Sequence, residues 1–78
     1  MSQHLEEAEK GNSESQYLLG KYWVDNDNYI EAYMWYEISA TNGNENGLKY
    51  RELLKKEMAN FQIVQAQKMA KEWMEEQE

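Results

Sequence analysis

The side chains able to do chemistry in this chain are few, and their spacing assembles no working set. His4 is the one histidine. A metal centre needs several donors, and a general base needs a partner that orients it. No cysteine, serine or carboxylate is placed to do either, so His4 reads as solvent-exposed. Asp25-x-Asp27 has the spacing with which a calcium loop opens. Such a loop requires Gly at its sixth position and a bidentate Glu at its twelfth. Ile30 and Tyr36 stand there instead, and the acidic pair reads as a capping turn. Ser2, Ser13 and Ser39 have no nucleophile elbow around them. No glycine is followed by the Lys-Ser or Lys-Thr of a phosphate-binding loop. Glu52–Lys56 and Lys71–Glu75 are i, i+4 neighbours on a wet face, worth about a few tenths of a kcal/mol. The expectation is a non-catalytic protein with no cofactor and no metal site.

Aromatic residues are the larger signal: three Trp, six Tyr and one Phe in 78 residues. That length holds one domain, residues 1–78, and so small a core normally needs a staple or a partner. With no cysteine, no disulfide supplies the staple. Tyr and Trp bury large areas and suit interfaces where one end stays wet. Most of them fall on inward stripes, so the set reads as core rather than as a ligand cage. The formal net charge is -7. Phosphate contacts need clustered Lys and Arg, so nucleic acid is not an expected partner, and neither is an anionic membrane. Acidic balance keeps small proteins soluble; mimicry of nucleic acid is the exception it allows. Residues 1–10 carry Glu6, Glu7 and Glu9 where a leader peptide would be apolar. No apolar window of about 18 residues occurs, and a cytoplasmic location is expected.

Helices must position these side chains. Proline is absent, and no alternating Val/Ile/Thr-rich run marks a strand. The spacing predicts an all-α chain of about five helices. A partial leading helix covers 2–10, with Leu5 and Ala8 as its apolar pair. A full helix pair covers 13–42: one helix from an N-cap at Ser13 to about Val24, burying Leu18, Leu19, Tyr22 and Trp23, and a central helix from Tyr29 to Asn42. Asp25 to Asn28 breaks the pair, and either Asp27 or Asn28 can cap the second member. A further helix covers 45–58, with Gly47, Tyr50, Leu54 and Met58 on one face. The last covers 60–75, with Ile63, Ala66, Ala70 and Trp73 on one face. The central helix is apolar almost all round. Ala32, Trp35, Tyr36, Ser39 and Ala40 make one face, and Ile30, Met34 and Ile38 make another, given about 100° per residue. Such a helix belongs between neighbours.

Ala8-x-x-Gly11-Asn12 recurs 32 residues on as Ala40-x-x-Gly43-Asn44, each copy at a helix end, and periods of this size mark helical solenoids. With Gln16-Tyr17-x-Leu19-Gly20-x-x-Trp23 and Glu31-Ala32-Tyr33-x-Trp35-Tyr36, the chain resembles the Sel-one-like repeat, a relative of the tetratricopeptide repeat. The pattern covers most of residues 8–73. Its closing part, Arg51-x-x-Leu54 and Gln62-Ile63 through Trp73, is similar to the helical cap that ends such arrays. Ser15, Ser39 and Gly47 depart from it where the repeat usually has Ala. The resemblance implies a short α/α solenoid of about one and a half repeats. Trp35 would fill the space between the second, third and fourth helices, and the last helix would cover the fourth.

The resemblance also implies a protein-binding module, an adaptor or a small immunity protein or inhibitor whose partner is another protein. Its charge suits a basic target. By spacing, Tyr17 and Lys21 on one helix, and Lys49, Leu53 and Lys56 on the next, line the partner surface. With only Leu5 and Ala8 available to cover it, the stripe Ile30, Met34 and Ile38 is expected to pair with a second copy in a homodimer or with a partner; the competing possibility is that the last helix folds back over the stripe and leaves a monomer. Two alternatives stand beside this reading. One is a weak hydrolase of the disulfide-rich kind within the family, which the absence of Cys disfavours. The other is a structural fragment of a longer solenoid.

Overall fold

Asn12, Asn28 and Asn44 stand 16 residues apart and each closes one helix while opening the next. The structure, a computed structural model, describes the backbone of residues 2–77 and the side chains of residues 5–77. The side chain of His4 lies outside the described residues. The described residues form five helices: α1 (Ser2–Glu9), α2 (Ser13–Asp25), α3 (Tyr29–Thr41), α4 (Glu45–Lys55) and α5 (Asn60–Glu76). No strand occurs among the described residues.

The first three connections share one geometry. In the first, the N–H of Gly11 donates to the carbonyl of Ala8 at 3.0 Å and that of Asn12 to Glu7 at 3.0 Å. Asp27 to Val24 and Asn28 to Trp23 repeat the pair, as do Gly43 to Ala40 and Asn44 to Ser39. These are the paired bonds of a Schellman motif, which needs a left-handed residue. Gly11, Asp27 and Gly43 supply it at φ 92, 59 and 89. Each asparagine then turns its side chain forward. Asn12 Oδ1 accepts from the Ser15 N–H at 2.9 Å, Asn28 from Glu31 at 3.1 Å and Asn44 from Gly47 at 2.9 Å. The cap of α2 is therefore Asn12 and not Ser13, because the left-handed residue before it aims the Asn12 side chain at the first turn. The cap of α3 is Asn28, with Asp27 as the left-handed residue. Asp25 belongs to α2 rather than to the turn. The fourth connection differs: α4 stops at Lys55, short of Met58, and Ala59 is the N-cap of α5, its N–H donating to Gln62 Oε1 at 2.9 Å.

Packing centres on α3, whose residues 32–36, 38 and 39 are buried. It has α2, α4 and α5 as neighbours, and α1 lies against α2. One apolar cluster joins Tyr17, Tyr33, Tyr36, Leu54, Ile63 and Ala66; a second joins Ala8, Leu19, Met34, Trp35, Ile38 and Ala70. The α5 face Ile63, Ala66 and Ala70 thus packs on α3, not mainly on α4, and carries Trp73 to the edge of Trp35. Trp35 is accordingly wedged with residues of α1, α2 and α5 rather than between α2, α3 and α4.

This placement of α5 overturns the expected interface stripe. Met34 is 6% and Ile38 0% exposed, both inside the cluster that includes Ala8 and Ala70. Ile30 is half-buried and packs against the other cluster. The stripe is interior because a 17-residue helix returns across α3, where α1 alone would have left it bare. Two further expectations shift on α1 and α2. Leu5 is exposed and Ala8 alone is buried; Tyr22 is 40% exposed, and Gln16, Tyr17 and Gly20 hold the inner positions with Leu19.

Polar groups stitch the turn end. The fully buried Gln16 donates through Nε2 to the Ala8 carbonyl at 2.8 Å and accepts at Oε1 from Asn42 at 2.9 Å. Ser15 donates to Glu7 at 2.8 Å, and Ser39 to the Ser13 carbonyl at 2.7 Å. The serines that depart from the repeat pattern thus make inter-helix hydrogen bonds, each worth about 0.5–1.5 kcal/mol. Gly47 answers Ser39: a Cβ on Gly47 would lie 2.5 Å from the Ser39 hydroxyl oxygen.

Candidate functional site

Gly20 brings α2 against α3. A Cβ there would overlap the ring of Tyr36, so the ring lies flat on bare backbone. One turn earlier on α2, Tyr17 meets the same ring, with centroids 6.1 Å apart and planes at 30°. Tyr50 of α4 closes the group, 5.5 Å from Tyr17 and 6.2 Å from Tyr36. Offset aromatic contacts in this range each contribute about 0.5–1.5 kcal/mol beyond area burial. Three helices are therefore joined through three tyrosines.

Beside the triad is an open hollow of about 300 Å³. Tyr29, Tyr36, Tyr50, Leu53 and Glu57 line it, with Val24 and Leu54. Tyr36 is 2% exposed, whereas Leu53 is 46% exposed. Tyr29 and Tyr50 are half-buried. Burial pushes the Tyr36 hydroxyl far above the ordinary tyrosine range, and Tyr17, Tyr50 and the Asp25 carboxylate push the same way.

The expected partner residues fall around this group. Tyr17 is buried within the triad. Lys21 and Lys49 are exposed, their ammonium groups 5.7 Å from the Tyr17 centroid and 5.9 Å from the Tyr50 centroid. Those are cation–π distances. Leu53 lines the hollow, while Lys56, the C-cap residue of α4, is exposed and lies outside its lining. Tyr29, Tyr36, Tyr50 and Glu57 were not assigned to a surface from sequence. The signal for one of them was available: Tyr50 and Leu53 stand at i and i+3 on one face of α4, with Glu57 in the turn that follows. Arg51 fixes that helix, its guanidinium bonded to Glu37 of α3 at 2.9 Å and to Glu52 at 2.9 Å. Burial alone would lower its pKa, but the bonds to Glu52 and Glu37 outweigh it and raise the value.

Among the described residues no group of three His, Cys, Asp or Glu is placed to hold a metal ion. No described helix is long and apolar enough to cross a membrane. Comparison of the chain with protein-family models, with curated proteins and with solved structures gives no match. The surface is therefore read from its own geometry.

Proposed function

We propose that this chain is a non-catalytic protein-binding module of Sel-one-like repeat type, an adaptor or an immunity-type inhibitor working in the cytoplasm, and that it grips its partner along α2 and α4. The observation that carries the reading is the tyrosine hollow. Among the described residues several large apolar side chains are exposed, Phe61 and Val64 more so than Leu53, but Leu53 is the exposed one that lines the hollow, with Tyr29 and Tyr50 half-buried beside it. Aromatic anchors next to a shallow hollow are what protein interfaces use as hot spots. The recurrence of one turn geometry at residues 11–12, 27–28 and 43–44 supports the repeat arrangement.

Affinity capture from the source cells with the wild-type chain and with Leu53→Glu tests the proposal. The expected result is a protein partner held by the wild type and lost by the variant, with both melting alike by circular dichroism. Capture of no protein above background, or capture indifferent to the substitution, would overturn it.

A further inference from the structure

We propose that the tyrosine hollow takes the guanidinium of an arginine side chain presented by a basic partner protein. The inference rests on the binding-module reading and adds the chemistry of what is bound. Three lining residues, Tyr29, Tyr36 and Tyr50, carry aromatic rings, whose faces attract cations within about 6 Å. The charged side chain in the lining is the carboxylate of Glu57. Asp25 lies outside the lining, but its charge acts on the Tyr36 hydroxyl and so adds to the negative field there. Both carboxylates belong to exposed residues, free to meet an incoming charge.

Neither lysine lines the hollow: Lys21 sits over Tyr17, outside the lining, and Lys49 sits 5.9 Å from the centroid of Tyr50, one of the lining rings. An apolar occupant would draw the Glu57 carboxylate out of water without a partner, which is unfavourable; an arginine supplies the partner. Arginine suits the site better than lysine because its planar, weakly hydrated guanidinium stacks on rings and forks to carboxylates. The volume, about 300 Å³, is at the small end of ligand pockets, the scale of one side chain. Beyond the hollow, the net charge of -7 draws a basic protein toward the chain and speeds encounter.

The test is a low-salt NMR titration of the full chain with acetyl-Gly-Arg-Gly-amide and with its lysine, norleucine and glutamate counterparts. The arginine peptide should give saturable shifts at the rings of Tyr29, Tyr36 and Tyr50, and the norleucine and glutamate peptides should bind at least about tenfold more weakly. Glu57→Gln and Asp25→Asn, both at exposed positions, should each weaken the arginine peptide about threefold, the size of an exposed ion-pair contribution. Norleucine binding as tightly as arginine, tighter binding of lysine, or an affinity unchanged in the double variant would overturn the inference. If arginine binding fails while capture still depends on Leu53, the cation site falls and the binding module stands. If the wild type captures no protein, the module falls and takes this inference with it.

Discussion

Trp35 of α3 and Trp73 of α5 meet edge to face, with ring centroids 5.2 Å apart and planes at 69°. The contact sits in the cluster that also holds Ala8, Leu19 and Ile38, so it ties the last helix to the first three. Trp35→Ala should cost about 3–5 kcal/mol. That is on the order of the whole stability of a domain this small, and the variant should be unfolded at room temperature. Trp73 is only half-buried, so Trp73→Ala should lower the midpoint of a circular-dichroism melt and leave a folded protein. A Trp35→Ala melt equal to wild type would show that α5 is held elsewhere.

Met34→Glu should destabilise the monomer and not liberate one from a dimer. Met34 is packed beside Ile38 and Ala70, where a carboxylate would be buried without a partner. Light scattering coupled to size exclusion, beside a thermal melt, checks this. A variant with wild-type stability and an altered mass would restore the stripe to the surface.

Gly20→Ala should be destabilising, although alanine is the better helix former by about 1 kcal/mol. The added methyl overlaps the ring of Tyr36, and forcing α2 and α3 apart costs about 1–3 kcal/mol. The fluorescence of the tyrosines, or the ring-current shifts of Tyr17 and Tyr36, should change with it. A more stable Gly20→Ala protein would mean the ring has room to move aside.

Asp27→Gly should stabilise the chain and Gly43→Ala should destabilise it, each by about 1 kcal/mol. Asp27 holds φ 59 and Gly43 φ 89 in equivalent turns. Only the residue type differs, so the two substitutions act in opposite directions on the same backbone requirement. Chemical denaturation of both variants measures it; effects of the same sign would show that the turns are not equivalent.

The central helix was legible in the sequence because Tyr29 to Asn42 is apolar on two faces, and burial of residues 32–36, 38 and 39 follows from that pattern. The destination of α5 was not legible. Its periodicity selects Ile63, Ala66 and Ala70 as the inward face but carries no information on which helix receives them. The third copy of the turn was hidden because Asp27 stands where Gly11 and Gly43 stand in the others, and an aspartate in the left-handed region leaves no glycine signature. Tyr17 was read as partner surface from its spacing with Lys21, and Leu18, Leu19, Tyr22 and Trp23 were read as the buried side. The bare backbone of Gly20 decided otherwise by seating Tyr36 where Tyr17 can reach it. Of Lys21, Lys49 and Leu53, named from spacing, Leu53 lines the hollow and the two lysines do not, whereas Tyr29 and Tyr36 needed the crossing of α3 under α2 and α4.

A shared asparagine also governs how the molecule opens. At residues 12, 28 and 44 one backbone amide seals the preceding helix while the same residue's side chain holds the first turn of the next. Fraying at such a turn releases amides on both sides at once, so the helix ends that meet at each of these turns should exchange their amide protons together. Between α4 and α5 those duties fall to different residues: the backbone bonds of Glu57 and Met58 end one helix, and Gln62 reaches back to Ala59 to begin the other. The turn between α4 and α5 should therefore open independently of the other three, while Ile63, Ala66 and Ala70 hold α5 itself in the two shared clusters.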